Sequence, residues 1–172
     1  MHKSSLENMR KFITKYLSNS GKVLDVSSMN INGSYHDFFN NGWEYTGLDI
    51  KYGNGVDLVV QDQYNWDELK DETFDAVISG QALEHIEDDK AVMSEICRVL
   101  KHGGFCCVIA PSAGVKHSEP DYRRYTVESM EELLKTCDFT ILESYIDATS
   151  QKQPWFDVVA IAKKNIKCGS IE

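Results

Sequence analysis

The 172-residue sequence predicts an α/β fold, a doubly wound, mostly parallel seven-stranded sheet with helices on both faces and an antiparallel last strand. Three observations predict it. Short, β-branched runs that read as buried strands recur along the chain. Between them lie stretches whose apolar residues repeat at helical spacing. The last two strand candidates are separated only by a loop, so they pair antiparallel.

In chain order, Leu6, Met9, Ile13, Tyr16 and Leu17 mark one helical face, which Ser18-Asn19-Ser20-Gly21 brings to an end. Residues 23–26 form the first strand, followed by a polar segment, 27–34. Tyr35, Phe38 and Phe39 mark a short helix closed by Asn41-Gly42. Residues 44–50, 56–60 and 74–79 read as three further strands. Val92, Met93, Ile96, Val99 and Leu100 give a helical stripe, with Lys101-His102-Gly103-Gly104 as its basic last turn and glycine stop. Residues 105–110 are a buried strand ended by Pro111. Thr126 caps a helix carrying Met130, Leu133 and Leu134. Residues 139–146 and 156–163 complete the sheet. No repeat or linker divides the chain, so residues 1–172 are expected to form one domain.

Composition narrows the function. The net charge is −9 and no basic patch is apparent, which argues against a nucleic-acid partner. No apolar run approaches the ~20 residues that span a bilayer. The opening Met1-His2-Lys3-Ser4-Ser5-Leu6-Glu7 has no signal-peptide stretch, so a cytoplasmic location and no membrane partner are expected. The five cysteines are odd in number and contain no C-x-x-C pair, and the five histidines are scattered; neither a disulfide framework nor a metal site is expected.

In a sheet of this kind ligands bind beyond the carboxyl ends of the strands, at the switch point. That rule gathers residues 25–34, Asp49, Asp62 and residues 79–85 around one crevice. The loop after the first strand, Asp25-Val26-Ser27-Ser28-Met29-Asn30-Ile31-Asn32-Gly33, lacks G-x-G-x-x-G, which argues against NAD or FAD; no G-x-x-x-x-G-K is present for a nucleoside triphosphate. Asp49 ends the second strand, where a carboxylate can accept from both hydroxyls of a ribose. A crevice rimmed by Asp25, Asp49 and Asp62 suits a ribose-bearing, phosphate-free cation such as S-adenosylmethionine. Taken singly, each Asp reads equally well as a cap or loop residue.

The segments resemble the class I S-adenosylmethionine-dependent methyltransferases, whose fold is Rossmann-like. The matching stretches are Val23-Leu24-Asp25-Val26, Asn32-Gly33-Ser34-Tyr35, Tyr45-Thr46-Gly47-Leu48-Asp49, residues 74–85 with their Leu83-Glu84-His85, Arg98-Val99-Leu100-Lys101-His102-Gly103-Gly104 and Ile109-Ala110-Pro111-Ser112. The opening Met1-His2 and Ser4-Ser5 resembles that of small members, but no mechanism attaches to those residues.

The resemblance implies roles. Asp25, Ser27, Asn32 and Gly33 would seat the methionine part of the cofactor, and Asp49 the ribose. Asp62 and Gln63 would border the adenine; Gly80 and Gln81 would lie beside the sulfonium. Glu84 and His85 would start the next helix near the acceptor. Residues 117–126, with His117, Tyr122 and Arg124, would form the acceptor-side loop. One departure stands out: the family's D-x-G-x-G is here Asp25-Val26-Ser27-Ser28-Met29, which strains the backbone wherever positive φ is required.

Methyl transfer needs a base only if the acceptor begins as a hydroxyl or an ammonium. His85 is the best base by residue type, and reads equally as a helix-start residue bonded to backbone. Glu84 reads equally as a first-turn carboxylate favoured by the helix dipole. His117 fits an exposed loop residue as well as an acceptor contact. Arg123 and Arg124 suit either an anion clamp or structural ion pairs. Tyr122, Tyr125 and Trp155 suit a pocket wall or ordinary packing. The expected function is a methyltransferase for a small-molecule or glycan-type acceptor. The alternative is a non-catalytic module binding an S-adenosyl ligand through a degenerate glycine loop.

Overall fold

The computed structural model describes residues 3–40, 42–116, 119–148 and 156–166. In chain order they form α1 (Lys3–Tyr16), β1 (Gly21–Val26), β2 (Trp43–Asp49), β3 (Leu58–Val59), β4 (Phe74–Gly80), α2 (Asp89–Val99), β5 (Leu100–Ala113), α3 (Val127–Lys135), β6 (Phe139–Asp147) and β7 (Phe156–Lys164), with 3₁₀ turns at His36–Phe38 and Leu83–His85. The sheet order is β3-β2-β1-β4-β5-β7-β6. The pairs from β3 through β5 are parallel. β7 runs antiparallel to both β5 and β6, as the loop-only connection between the last two strands requires.

Side-chain alternation along β1 divides the core. Leu24 and Val26 face one side of the sheet, where α2 and α3 bury Val92, Met93, Ile96, Met130 and Leu134. Val23 faces the other, where α1 buries Met9 and Phe12 against Ala76, Ile78, Cys107 and Ile109. Thr126 caps α3 as expected: its hydroxyl accepts from the Ser129 amide at 3.1 Å, and Ser129 Oγ accepts in return from the Thr126 amide at 2.9 Å.

Two elements differ from the sequence expectation. Lys101-His102-Gly103-Gly104 is not a helix end. α2 stops at Val99 because Leu100 is already extended (ψ 133°), and β5 begins there. The glycines serve an irregularity on entry to β5, where its register with β4 shifts between Phe74 and Ala76. Gly103 has φ +79°, and a Cβ on Gly104 would stand 2.9 Å from the Lys101 carbonyl oxygen and 3.0 Å from that of Asp75. Glu84 and His85 do not start a helix either. They form a separate 3₁₀ turn, and α2 begins at Asp89 with Asp88 accepting from the Ala91 amide.

Candidate active site

The chain reverses its order of strand addition at β1, which lies between β2 and β4. Beyond the carboxyl ends of these strands opens a crevice of about 620 Å³, a volume suited to a small ligand. The loop after β1 supplies Ser27, Met29, Asn32 and Gly33, the end of β2 supplies Asp49, and the segment after β3 supplies Gln63 and Trp66. Gly80, Gln81 and His85 enter from the end of β4, and Glu119, Pro120 and Tyr122 from the far wall.

The β1 loop is held by β2 rather than by a glycine pattern. The Ser28 amide donates to the Leu48 carbonyl at 3.0 Å, and Ser28 Oγ donates to the Gly55 carbonyl at 2.8 Å. Close approach is possible because position 47 is glycine: a Cβ there would stand 2.1 Å from the Gly55 oxygen. Ser27 takes φ +63°, the left-handed region where the family motif has glycine, at a cost of order 1–3 kcal/mol for a non-glycine residue. Asp49 completes the hold. Its Oδ2 accepts from the Met29 amide at 3.2 Å, and its Oδ1 from Ile50 and Lys51 at 2.8 and 3.3 Å. A carboxylate offers about four acceptor positions; three are taken, so Asp49 keeps one, on Oδ2, for a ligand hydroxyl while fixing the loop that frames it.

The floor beside Gly80 comes from the opposite side of the sheet. Tyr35 is fully buried, and its hydroxyl lies 2.6 Å from Ser5 Oγ. A Cβ on Gly80 would fall 1.8 Å from that hydroxyl oxygen, so only glycine fits. The next residue, Gln81, has φ +60° and donates through Nε2 to Asp157 Oδ1 at 3.0 Å; Ser4 Oγ donates to Asp157 Oδ2 at 2.8 Å. Ser4 and Ser5 thus have a physical role: they anchor the first turn of α1 beneath the crevice, one through Asp157 to Gln81 and the other through Tyr35 to Gly80.

Glu84 and His85 sit where the β4 turn meets the far wall. His85 Nδ1 is 2.5 Å from the Pro120 carbonyl oxygen. A carbonyl only accepts, so Nδ1 carries the proton, and in the neutral ring Nε2 keeps its lone pair. Nε2 lies 3.7 Å from Glu84 Oε1. The Glu84 side chain is fully buried, and neither carboxyl oxygen has a hydrogen-bond partner among the described residues. Burial therefore pushes its pKa up to about 7 and weakens it as an acid. The Tyr122 amide donates to the Glu84 carbonyl at 2.8 Å, and the Arg123 guanidinium bridges the Glu87 carbonyl and the Asp89 carboxylate, so the wall and the turn form one unit.

Of the residues singled out in the sequence, Ser27, Asn32, Gly33, Asp49, Gln63, Gly80, Gln81, His85 and Tyr122 line the crevice. Four others do not. Asp25 points to the α1 side and is buried with the Tyr45 hydroxyl donating to it, and burial raises its pKa to about 7. Asp62 is exposed and accepts from the Tyr64 amide at 2.8 Å in a local turn. Glu84 is sealed behind His85. Arg124 grips the buried Asp121 with both terminal nitrogens and donates to the Gly114 and Val115 carbonyls, so its charge is taken up inside the wall. His117 and Trp155 lie outside the described residues. The sequence reading missed Tyr35, Tyr45, Trp66 and Asp157. Only Asp157 left a clear trace, an acid inside the otherwise apolar run Phe156-Asp157-Val158-Val159.

Residues 12–108, more than half of the chain, match the family model described as a methyltransferase domain. No curated protein matches the chain. Among solved structures, the 1,6-didemethyltoxoflavin-N1-methyltransferase of Burkholderia thailandensis, seen with S-adenosylhomocysteine and 1,6-didemethyltoxoflavin bound, superposes with a TM-score of 0.78 at 18% identity, over 95% of this chain and 79% of that one. An S-adenosylmethionine-dependent methyltransferase of Methanosarcina mazei gives 0.70 at 16% identity, over 91% and 98% of the two chains. The [4+2]-cyclase SpnF gives 0.72 at 16%, over 93% and 82%. At such identities the likeness is one of fold, and the cyclase shows that this fold serves other chemistry. The fold and its crevice define an α/β protein of the Rossmann-like methyltransferase architecture. With the family match, the chain belongs to the methyltransferase-domain family, class I, in agreement with the motifs read from the sequence.

Proposed function

We propose that this protein transfers a methyl group from S-adenosylmethionine to a small-molecule or glycan-type acceptor, and that it works in the cytoplasm. The observation that carries the reading is Asp49, held at the carboxyl end of β2 with acceptor capacity facing a crevice whose β1 loop has no pyrophosphate-binding glycines. The charged groups support a cationic ligand: Asp49, Glu87 and Glu119 line the crevice, against Lys51 as the one ammonium among the described lining residues. The Burkholderia enzyme, with S-adenosylhomocysteine and its small acceptor bound in the same fold, supports the choice of a small molecule.

S-adenosylmethionine supplies an activated methyl on sulfur, so the protein's task is positioning. Asp49 would accept from a ribose hydroxyl, and the loop from Ser27 to Gly33 would frame the methionine end. Gln63 and Trp66 would border the base, and Gly80 and Gln81 would lie beside the reacting sulfur. His85 is the base for an acceptor that starts protonated. The Pro120 carbonyl fixes its ring and tautomer, which leaves Nε2 to take the proton. Arg124 builds the wall instead of binding the acceptor, and Tyr122 presents the acceptor-side surface.

The test joins calorimetric titration of S-adenosylhomocysteine with mass-spectrometric detection of methyl transfer across a panel of hydroxyl, amine and sugar acceptors. Binding with turnover supports the reading; tighter binding of NAD overturns it. A second reading, a non-catalytic S-adenosyl-ligand module, is favoured by the left-handed Ser27, and predicts binding with no turnover on any acceptor.

A further inference from the structure

The end of the crevice between the β4 turn and the far wall carries acids without matching cations. Glu87 stands two residues past His85, and Glu119 lies beside Pro120; both side chains are exposed and both line the crevice. Among the described residues no cation pairs with either carboxylate. The two arginines nearby are engaged elsewhere: Arg123 binds the Asp89 carboxylate and the Glu87 carbonyl, and Arg124 binds the buried Asp121. Lys51, the one ammonium among the described lining residues, follows β2, which is two strands away from β4.

The layer behind the lining has the same sign. Gln81 donates through Nε2 to Asp157, and its buried Oε1 has no hydrogen-bond partner among the described residues; neither has either oxygen of the fully buried Glu84. Negative poles left unmet inside a protein act over a longer range than they would in water, and a cation in the adjoining crevice compensates them. His85 joins the two layers. Its Nδ1–H is held by the Pro120 carbonyl, and Nε2 lies 3.7 Å from Glu84 Oε1, so a positive charge gained by the ring meets a carboxyl group. Around these groups the lining is apolar and uncovered: Tyr122 on the far wall is 45% exposed, and Ile31 on the β1 loop 78%.

We propose that the methyl acceptor is an amine on an apolar body, held as its ammonium by Glu87 and Glu119 and relieved of one proton by His85. This rests on the methyl-transfer reading above. An ammonium brings three donors and a positive charge to carboxylates that only accept. A hydroxyl brings one donor and no charge, and a carboxylate or phosphate meets charge of its own sign. Tyr122, Pro120 and Ile31 take the apolar body. In the step itself, His85 Nε2 takes one proton from the ammonium. The freed nitrogen lone pair forms the N–C bond to the methyl as the donor's S–C bond breaks. The products are a methylated ammonium and S-adenosylhomocysteine, and His85 gives its proton to water.

Calorimetry titrates the folded protein first with S-adenosylhomocysteine and then with three probes that share a phenyl ring and differ at the polar end: 2-phenylethylamine, 2-phenylethanol and 3-phenylpropionate. The amine should bind roughly tenfold or more tightly than either of the others. Glu87→Gln and Glu119→Gln should each weaken the amine about fivefold, the effect of one exposed charge at close range, and leave the alcohol and S-adenosylhomocysteine unchanged. An alcohol or carboxylate that binds as tightly as the amine, an amine that does not bind, or an amine affinity that neither variant alters overturns the proposal. The two readings fail separately. An amine that fails on protein saturated with S-adenosylhomocysteine leaves methyl transfer standing. An amine that binds where S-adenosylhomocysteine does not leaves the amine site standing and removes the methyl donor. If neither binds, both readings fall.

Discussion

Gly80→Ala probes the coupling between the crevice floor and the amino-terminal helix. The new Cβ would lie 1.8 Å from Tyr35 Oη and 2.7 Å from Tyr35 Cζ. Ordinary contact distances of about 3.5 Å require the hydroxyl to recede by roughly 1.7 Å. Tyr35 is fully buried, and its hydroxyl is bonded to Ser5 at 2.6 Å, so the ring has no free space to enter. Overpacking of this kind costs about 1–3 kcal/mol, and the displaced hydrogen bond about 1 kcal/mol more. The sum, ~2–4 kcal/mol, corresponds to a fall in Tm of about 4–15 °C for a chain of this size. Scanning calorimetry of Gly80→Ala, Tyr35→Phe and the double variant measures it. The hydroxyl is the nearest obstacle, so Gly80→Ala should cost less in the Tyr35→Phe background, with a coupling energy of about 1 kcal/mol or more. A single variant within about 1 °C of wild type, or strictly additive losses, would refute the packing argument.

Other perturbations follow from the same contacts. Asp49→Ala removes the acceptor of a ligand hydroxyl and should weaken S-adenosylhomocysteine binding about tenfold, at roughly 1–3 kcal/mol for the stranded hydrogen bond; calorimetry that finds an unchanged Kd would place Asp49 outside the ligand's reach. Because Asp49 also holds the Met29, Ile50 and Lys51 amides, the same change should lower the Tm of the ligand-free protein. Arg124→Ala takes the guanidinium from the buried Asp121 carboxylate and should cost about 3–5 kcal/mol of stability, read by urea unfolding; a stable variant that loses only turnover would return Arg124 to the acceptor. Asp25 and Glu84 both have folded-state pKa values raised to about 7, above the unfolded 3.8 and 4.5. The folded protein therefore binds more protons between those limits, and these groups make stability fall as pH rises from about 5 through 7. Glu84→Gln, which mimics the neutral acid, should flatten the slope of Tm against pH over that range, whereas an unaltered slope would mean that Glu84 does not titrate there.

The sheet was legible because its strands are buried on both faces and carry that requirement in their residues: 23–26, 74–79 and 105–110 are nearly continuous apolar runs. Thr126 was legible as a cap because a hydroxyl before an apolar stripe has a local meaning. Lys101-His102-Gly103-Gly104 was misread for the converse reason. A double glycine after a helix signals a stop locally, while its actual service, an irregular entry to β5 beside Asp75, depends on a strand far away in sequence. In the site, Asp49 and Gly80 could be placed from their positions at strand ends. Asp25 could not, since a residue near a strand end faces either side of the sheet, and this one faces Tyr45. The contacts Ser4–Asp157–Gln81 and Ser5–Tyr35 join parts of the chain as much as 153 residues apart, and no local pattern announces them. The pairing of Arg124 with Asp121 was open to the sequence as a spacing of three residues, but its burial was not.

The central claim is that the crevice at the ends of β1, β2 and β4 takes an S-adenosyl ligand through Asp49. Isothermal titration of the purified protein with S-adenosylhomocysteine, alongside NAD, tests it most directly. The account predicts saturable one-to-one binding of S-adenosylhomocysteine that Asp49→Ala weakens about tenfold, and no saturable binding of NAD. Absence of S-adenosylhomocysteine binding by the folded protein, or NAD binding more tightly, would contradict it.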